Sequence, residues 1–515
     1  MAEVIASHLL DAYTAAAGDP DADELRADAL AALRAAAQRT KAVGATDAAQ
    51  RAYLMARDLA GGEDERAELT EQAGMMAMLS ARYEVAIDLL DTAAAAHVAA
   101  GRDAQAAALA EPIVVALQRL GRIDEGVERA KAALEILERD PDTGAGVAAV
   151  TAALGACLSF GGYHEEAAGY LEKALIMAQA LELPLPLCRA LNSRAVSYMQ
   201  QSRFDESVGL WTVLADIAER NGLTELQSNA ISNIGNVLLA RDLPEARGRI
   251  KEAIALALRT GDSYARMVSS GNLMLVHLFA GQWEEMERVG NELLNAPIEH
   301  QEDVHARFAC LKAWRGEPAA EHLAVLAPWR EGNNLEDRFI ATAADIAVAL
   351  SEGRHEEVVE DGVVAIRSAM EAVGPLHESL RLLWSDTMAA AIATGRIDVA
   401  ADLVAVLDAE PRGRLSPFLR AELHRAKGLL SAAREEHDEV EAELRAAVDD
   451  QRALGYPYPT ARAQIDFAAW LIGQGRQAEA AQLLADAVAM LTPLRAAPLL
   501  GRASELLAAV PAAAA

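Results

Sequence analysis

One short phrase recurs through most of this 515-residue chain: a Gly or small residue, often Arg, then a bulky residue, two acidic or polar residues and a small apolar one, as in ARYEVA, GRIDEG, SRFDES, GQWEEM, GRHEEV and GRIDVA. Anchored on the bulky position, it falls at Thr46, Tyr83, Ile123, His164, Phe204, Leu243, Trp283, Glu317, His355, Ile397, His437 and Gln477. The successive spacings are 37, 40, 41, 40, 39, 40, 34, 38, 42, 40 and 40 residues. A period near 40 restricts the chain to repeat architectures, in which each unit is too small to bury its own apolar face and must stack on its neighbours.

The residues within one period specify helices. Ten residues after the anchor, nine of twelve positions are Ala (56, 93, 133, 174, 253, 327, 365, 447 and 487), and three after it seven are Ala (49, 86, 167, 246, 320, 400 and 480). Positions +3, +7 and +10 share one face of a helix with 3.6 residues per turn. Small side chains there let a second helix approach to the near end of the usual interaxial range. The phrase therefore opens the second helix of a hairpin. Gly74, Gly155 and Gly428, with Ala37, Ala195 and Ala468, mark the matching close contact on the first. Only 22 residues are aromatic (7 Phe, 6 Trp and 9 Tyr), which fits closely spaced thin layers and argues against strands. The expected fold is all-α, a right-handed superhelical solenoid of about twelve antiparallel helical hairpins.

These turn, bulky and Ala positions, running from about Ala35 to Leu491, resemble the tetratricopeptide repeat. The chain departs from it in its longer period, in the loss of most first-helix Trp and Tyr positions and in a degenerate unit around Glu317. Longer repeats of this kind, and the N-terminal stretch around His8, Leu9 and Ala12, resemble the C-terminal repeat region of bacterial signalling proteins that combine a nucleotide cyclase, an ATPase and helical repeats. The resemblance implies a regulatory, cytoplasmic, non-enzymatic protein or a part of one, partnered by an ATPase or cyclase module. The expected organisation is an N-terminal linker or capping helix over 1–34, an array over 35–294, a kink over 295–334 and a second array with a capping helix over 335–515. Two uncommon features inform that division, the 34-residue spacing and the polar runs near Asn295–Asp303 and Glu331–Asn334.

Charge excludes several partners. With 47 basic and 77 acidic side chains the net charge is −30, so nucleic acid and anionic membrane surfaces are repelled, and a partner should present a basic or apolar contact surface. The uncharged stretch 143–163 is diluted by Gly, Thr and Ser and reads as a buried helix, not a membrane span. Cys157, Cys188 and Cys310 share no ligand or disulfide spacing and read as reduced core thiols.

Catalytic chemistry finds no support. No GxxxxGK[ST] phosphate loop and no HExxH occurs. His300 and His305 with Glu299, Glu302 and Asp303 form the single His/carboxylate cluster, but five residues apart the histidines do not share a helical face. No cofactor and no metal is expected. In arrays of this kind positions two, five and nine of each first helix line the inner wall. Here those are Arg189, Asn192 and Val196 in one repeat and Asn229, Ser232 and Asn236 in the next. Asn and Ser can both donate and accept hydrogen bonds, which suits a peptide backbone, and Arg189 suits a carboxylate. The set resembles the Asn-bearing carboxylate clamp of some tetratricopeptide domains without that clamp's Lys residues. A second reading places a small-molecule sensor pocket at the kink, with Trp314 and Trp329 in it.

Overall fold

The computed structural model describes residues 2–15, 21–201, 203–239, 242–296, 301–332, 334–372, 374–375, 377–436 and 438–510. The repeat anchor His437, and Glu299 and His300 of the His/carboxylate cluster, lie outside the described residues. Among the described residues the regular structure is helix throughout, with no strand, and consecutive helices pack as antiparallel hairpins. Glu63–Leu79 packs on Tyr83–Ala99, Gly144–Phe160 on His164–Ala180, Pro417–Ala433 on Val440–Ala453 and Pro457–Gly473 on Gln477–Leu494. The fold is thus an all-α helical-repeat array of the tetratricopeptide-like kind.

The close-contact positions behave as their side chains require. An added Cβ at Gly74, Gly155 or Gly428 would lie 2.9, 2.8 or 2.7 Å from the Cγ of Leu90, Leu171 or Leu444, the leucine seven residues into the second helix. Ala37, Ala195 and Ala468 are fully buried in the same role. In three repeats the partners exchange: Gly126, Gly290 and Gly362 are on the second helix, facing Cys157, Phe308 and Thr387 of the following first helix. Most of the +3 and +10 alanines are buried, but Ala320 and Ala327 are exposed, and Ala319 and Leu326 are buried instead. The repeat anchored on Glu317 is therefore one residue out of phase. Its second element is broken into the short helices Ala320–Val325 and Ala327–Glu331.

The turn before each second helix explains the glycine and arginine of the phrase. Gly121 has φ of 71°, a left-handed conformation that reverses the chain, and the next amide, Arg122 N–H, donates to the Leu117 carbonyl at 2.9 Å. The turn arginine then reaches back to the preceding repeat's second helix: Arg82 to Asp47 at 2.6 Å, Arg122 to Glu84 at 3.1 Å and Arg396 to Glu356 at 3.7 Å. Acidic residues just after the bulky anchor are thus half of an inter-repeat ion-pair ladder. Exposed as these pairs are, they set register more than stability.

The chain forms two compact units, one made of Met1–Ser197, Glu206–Asn233 and Lys251–Ser269, the other of Tyr198–Asp205, Ile234–Ile250 and Ser270–Ala515. Within the first unit the array returns on itself, since the turn at Gly44 abuts the turn at Gly261, whose N would lie 2.7 Å from a Cβ at residue 44. That unit holds the segment Pro141–Phe160, which is long and apolar enough to cross a membrane and has 61% of its most apolar window buried. Within the second unit an aromatic cluster of Phe279, Trp283, Trp314, Phe418, Tyr456 and Tyr458 fills the space between repeats. The three cysteines are buried and unpaired. Burial pushes the Cys157 and Cys310 thiols up to about 12 and that of Cys188 to about 11, which keeps all three protonated and unreactive.

Candidate binding surfaces

The first unit gathers polar side chains from well-separated first helices. Arg189, on Pro184–Gln200, ion-pairs with Glu111 of Ala110–Arg119, two repeats earlier. Glu225, at the start of Thr224–Leu238, interacts with Arg189, with Asp262 and with Lys41 at the end of Ala22–Ala42. Glu225 keeps exposed surface although protein lies close around it. That enclosure, with the like charge of Asp262, raises its carboxyl to about 7 against the pull of Arg189 and Lys41. Burial lowers Arg189 to about 10, Glu225 drawing it back up, so it stays a cation at neutral pH.

Beside this charged group the asparagines form a short chain. Asn192 Oδ1 accepts from the buried Trp211 indole N–H at 2.9 Å and from Asn233 Nδ2 at 3.4 Å, and Asn233 Nδ2 also donates to Asn229 Oδ1 at 3.1 Å. Both carbonyls are spent inside the fold. Among the described residues no hydrogen bond takes up the NH2 groups of Asn192 and Asn229, so the pair offers donors to a partner.

One expected groove residue is placed elsewhere. Ser232 is 3% exposed and its Oγ accepts from Ser269 Oγ at 3.0 Å, so it joins neighbouring helices and does not line a groove. A residue as small as Ser fits the close-contact positions that Ala otherwise fills. Asn236 is half-buried, two turns beyond Asn229 on the same helix, Thr224–Leu238. The position rule missed Asn233, one turn beyond Asn229 and legible from that spacing. It also missed Glu111 and Glu225, whose approach to Arg189 depends on how the array curves.

The second unit buries charge. Glu422, fully buried, accepts from Arg425 at 3.1 Å, Arg462 at 3.0 Å and Gln451 at 2.8 Å. Arg425 also binds Asp466 at 2.7 Å and Arg462 binds Asp386 at 3.2 Å. Arg502 adds a contact to Asp466 at 2.9 Å. Burial pushes the Glu422 carboxyl upward, but Arg462 and Arg425 outweigh it and hold the group ionised. Trp314, expected at a kink pocket, is buried, and its ring stacks on Tyr458 at 4.2 Å as part of the aromatic cluster. Trp329 is half-buried on Ala327–Glu331, and no ring contact joins it to Trp314 among the described residues.

Near that helix pair Asp337 is held well above the ordinary carboxylate range, at about 7, by burial and then by Glu336, Asp303 and Glu302. Its folded-state pKa lies above the ordinary 3.8, so the folded protein binds this proton more tightly than the unfolded chain. Stability is therefore lost as pH rises from about 4 through about 7. Asp337→Asn should raise stability at pH 8 by roughly 1–2 kcal/mol, with the difference from wild type vanishing toward pH 4. Urea unfolding at several pH values measures this, and an equal effect at both extremes would contradict it.

No family model and no curated relative matches the sequence. Among solved structures the chain is similar to yeast Tom70, at 13% identity over 87% of this chain and 97% of that one, with a TM-score of 0.31. It is similar also to the APC/C hetero-tetramer Cut9–Hcn1, at 12% identity over 93% of this chain and 96% of that one, with a TM-score of 0.44.

Proposed function

We propose that the chain is a non-enzymatic scaffold that binds a protein or an extended peptide at the polar patch around Asn192 and Asn229 in its first unit. The observation that carries this reading is the set of unspent amide donors on Asn192 and Asn229 beside Arg189 and Glu225. A peptide main chain supplies the carbonyl acceptors such donors need. Glu225 and the overall charge of −30 favour a partner with a basic or apolar contact surface. The resemblance of its long repeats, and of the stretch around His8, Leu9 and Ala12, to bacterial proteins that join a cyclase, an ATPase and helical repeats leads us to propose a cytoplasmic, regulatory repeat region of a bacterial signalling system with an ATPase or cyclase module as partner.

Asn192→Ala and Asn229→Ala together should weaken capture of the partner by about tenfold or more, two donors at roughly 1 kcal/mol each. Melting temperature should also fall, because Asn192→Ala leaves the buried Trp211 indole N–H without its acceptor, so capture is compared at a temperature where both baits are folded. Quantitative mass spectrometry of proteins retained by wild-type and variant baits tests this. A retained set that is the same for both would remove the groove from the proposal.

A further inference from the structure

Among the described residues, every other buried arginine of the second unit has a carboxylate. Arg307 has Asp303 at 2.9 Å and Glu378. Arg315 has Glu287 at 2.7 Å, and Arg425 and Arg462 share Glu422. Arg381, on Glu378–Ala393, differs. It is 4% exposed, and among the described residues no ion pair or hydrogen bond reaches its guanidinium, whereas the unpartnered Nε is a feature it shares with Arg307, Arg315 and Arg462. A guanidinium does not shed its proton to escape burial, although burial lowers its pKa. An uncompensated buried cation of this kind is among the more costly features a fold can carry.

The surroundings do not supply the missing charge. Glu378, one turn back on the same helix, is engaged by Arg307, whose own positive charge opposes that of Arg381. Asp303, the other carboxylate on Arg307, is pushed by burial toward its neutral form. Tyr456 lies close enough to interact electrostatically, but burial lifts its phenol to about 12 and its hydroxyl donates to the Leu239 carbonyl at 2.5 Å. It therefore lends a polar neighbour and no anion. Both nearby carboxylates, Asp303 and Glu378, are thus engaged by Arg307, and neither makes an ion pair or hydrogen bond with Arg381 among the described residues.

We propose that Arg381 anchors a binding site for a small oxyanion, the carboxylate or phosphoryl group of a low-molecular-weight ligand, held between Glu378–Ala393 and Tyr456 in the second unit. The planar fork of Arg381 matches two oxygens of such a group. With so little of Arg381 open, the site takes a small ion or one acidic group, not a protein surface. It shares no residue with the groove around Asn192, so either can fail without the other.

The test is thermal unfolding and calorimetric titration of the full chain with inorganic phosphate and, separately, acetate, with chloride holding ionic strength constant. The expected result is a saturable rise in melting temperature with at least one anion. Phosphate alone would assign a phosphoryl group, and acetate alone a carboxylate. Arg381→Met should abolish the response and, without added anion, melt at or above the wild-type temperature because the unpaired charge is gone. Arg381→Lys keeps the charge but loses the fork, and should bind at least tenfold more weakly while folding normally. No saturable response in wild type overturns the proposal, as does an undiminished response in either variant. Should Arg381→Met fail to fold, the lysine variant decides by itself.

Discussion

Glu422→Ala is expected to destabilise the second unit by about 3–5 kcal/mol, the usual cost of removing one member of a buried ion pair and leaving its partners uncompensated. Glu422 is the acceptor on which Arg425, Arg462 and Gln451 converge, and Arg425, Arg462, Asp386 and Asp466 are themselves almost fully buried. Its loss leaves two guanidiniums facing Asp466 and Asp386 alone, and Asp386 is the weaker counter-ion because burial raises its carboxyl to about 6. Hydrogen exchange should localise the loss to Pro417–Ala433 and Pro457–Gly473, the helices that carry Glu422, Arg425, Arg462 and Asp466. Replacing Glu422, Arg425 and Arg462 together by apolar residues of similar volume should recover much of the loss, since the network offsets a desolvation cost that an apolar core does not incur. A drop below about 1 kcal/mol for Glu422→Ala would mean that solvent reaches these charges, because that is the scale of exposed pairs.

The second large effect is a contrast in sign between two glycines of one hairpin. At Gly155 an added Cβ would lie 2.8 Å from the Cγ and Cδ2 of Leu171 and 3.2 Å from its backbone N, so the two helices must separate to admit it. Gly155→Ala should cost about 1–3 kcal/mol through overpacking, reduced by up to about 1 kcal/mol from alanine's better helix propensity. Gly169, within His164–Ala180, meets nothing within 4 Å and is exposed. Gly169→Ala therefore gains the propensity term alone and should stabilise by about 0.5–1 kcal/mol. Both are read by urea unfolding of the full chain. Two changes of the same sign would mean that close helix approach does not limit this hairpin.

The legibility of the fold followed from what each repeat needs locally. A hairpin turn needs a residue that tolerates positive φ, a tight helix contact needs a missing side chain, and a second helix needs its small face every seven residues or so. Each demand falls on one residue type at a fixed offset, so Gly121, Gly155 and the alanine positions could be read from order alone. The same regularity failed around Glu317, where Ala320 and Ala327 kept the expected offsets in the sequence but Ala319 and Leu326 are the buried residues. A one-residue slip is invisible where neighbouring positions are both small and apolar.

The candidate sites were less legible, because they depend on distances between repeats. Asn192 and Asn229 were accessible to a position rule, and so was Asn233 through its i+4 spacing. Ser232 was not separable from a groove residue by type, since one hydroxyl can either line a surface or close a helix contact. The pairing of Arg189 with Glu111 spans two repeats, and the isolation of Arg381 is defined by which carboxylates do not reach it. Sequence alone thus determined the repeat, its hairpins and its turn chemistry, all governed by contacts within about 40 residues. Only the tertiary structure decided which charges are buried together and which stay unpaired, because the curvature that stacking imposes brings those groups face to face.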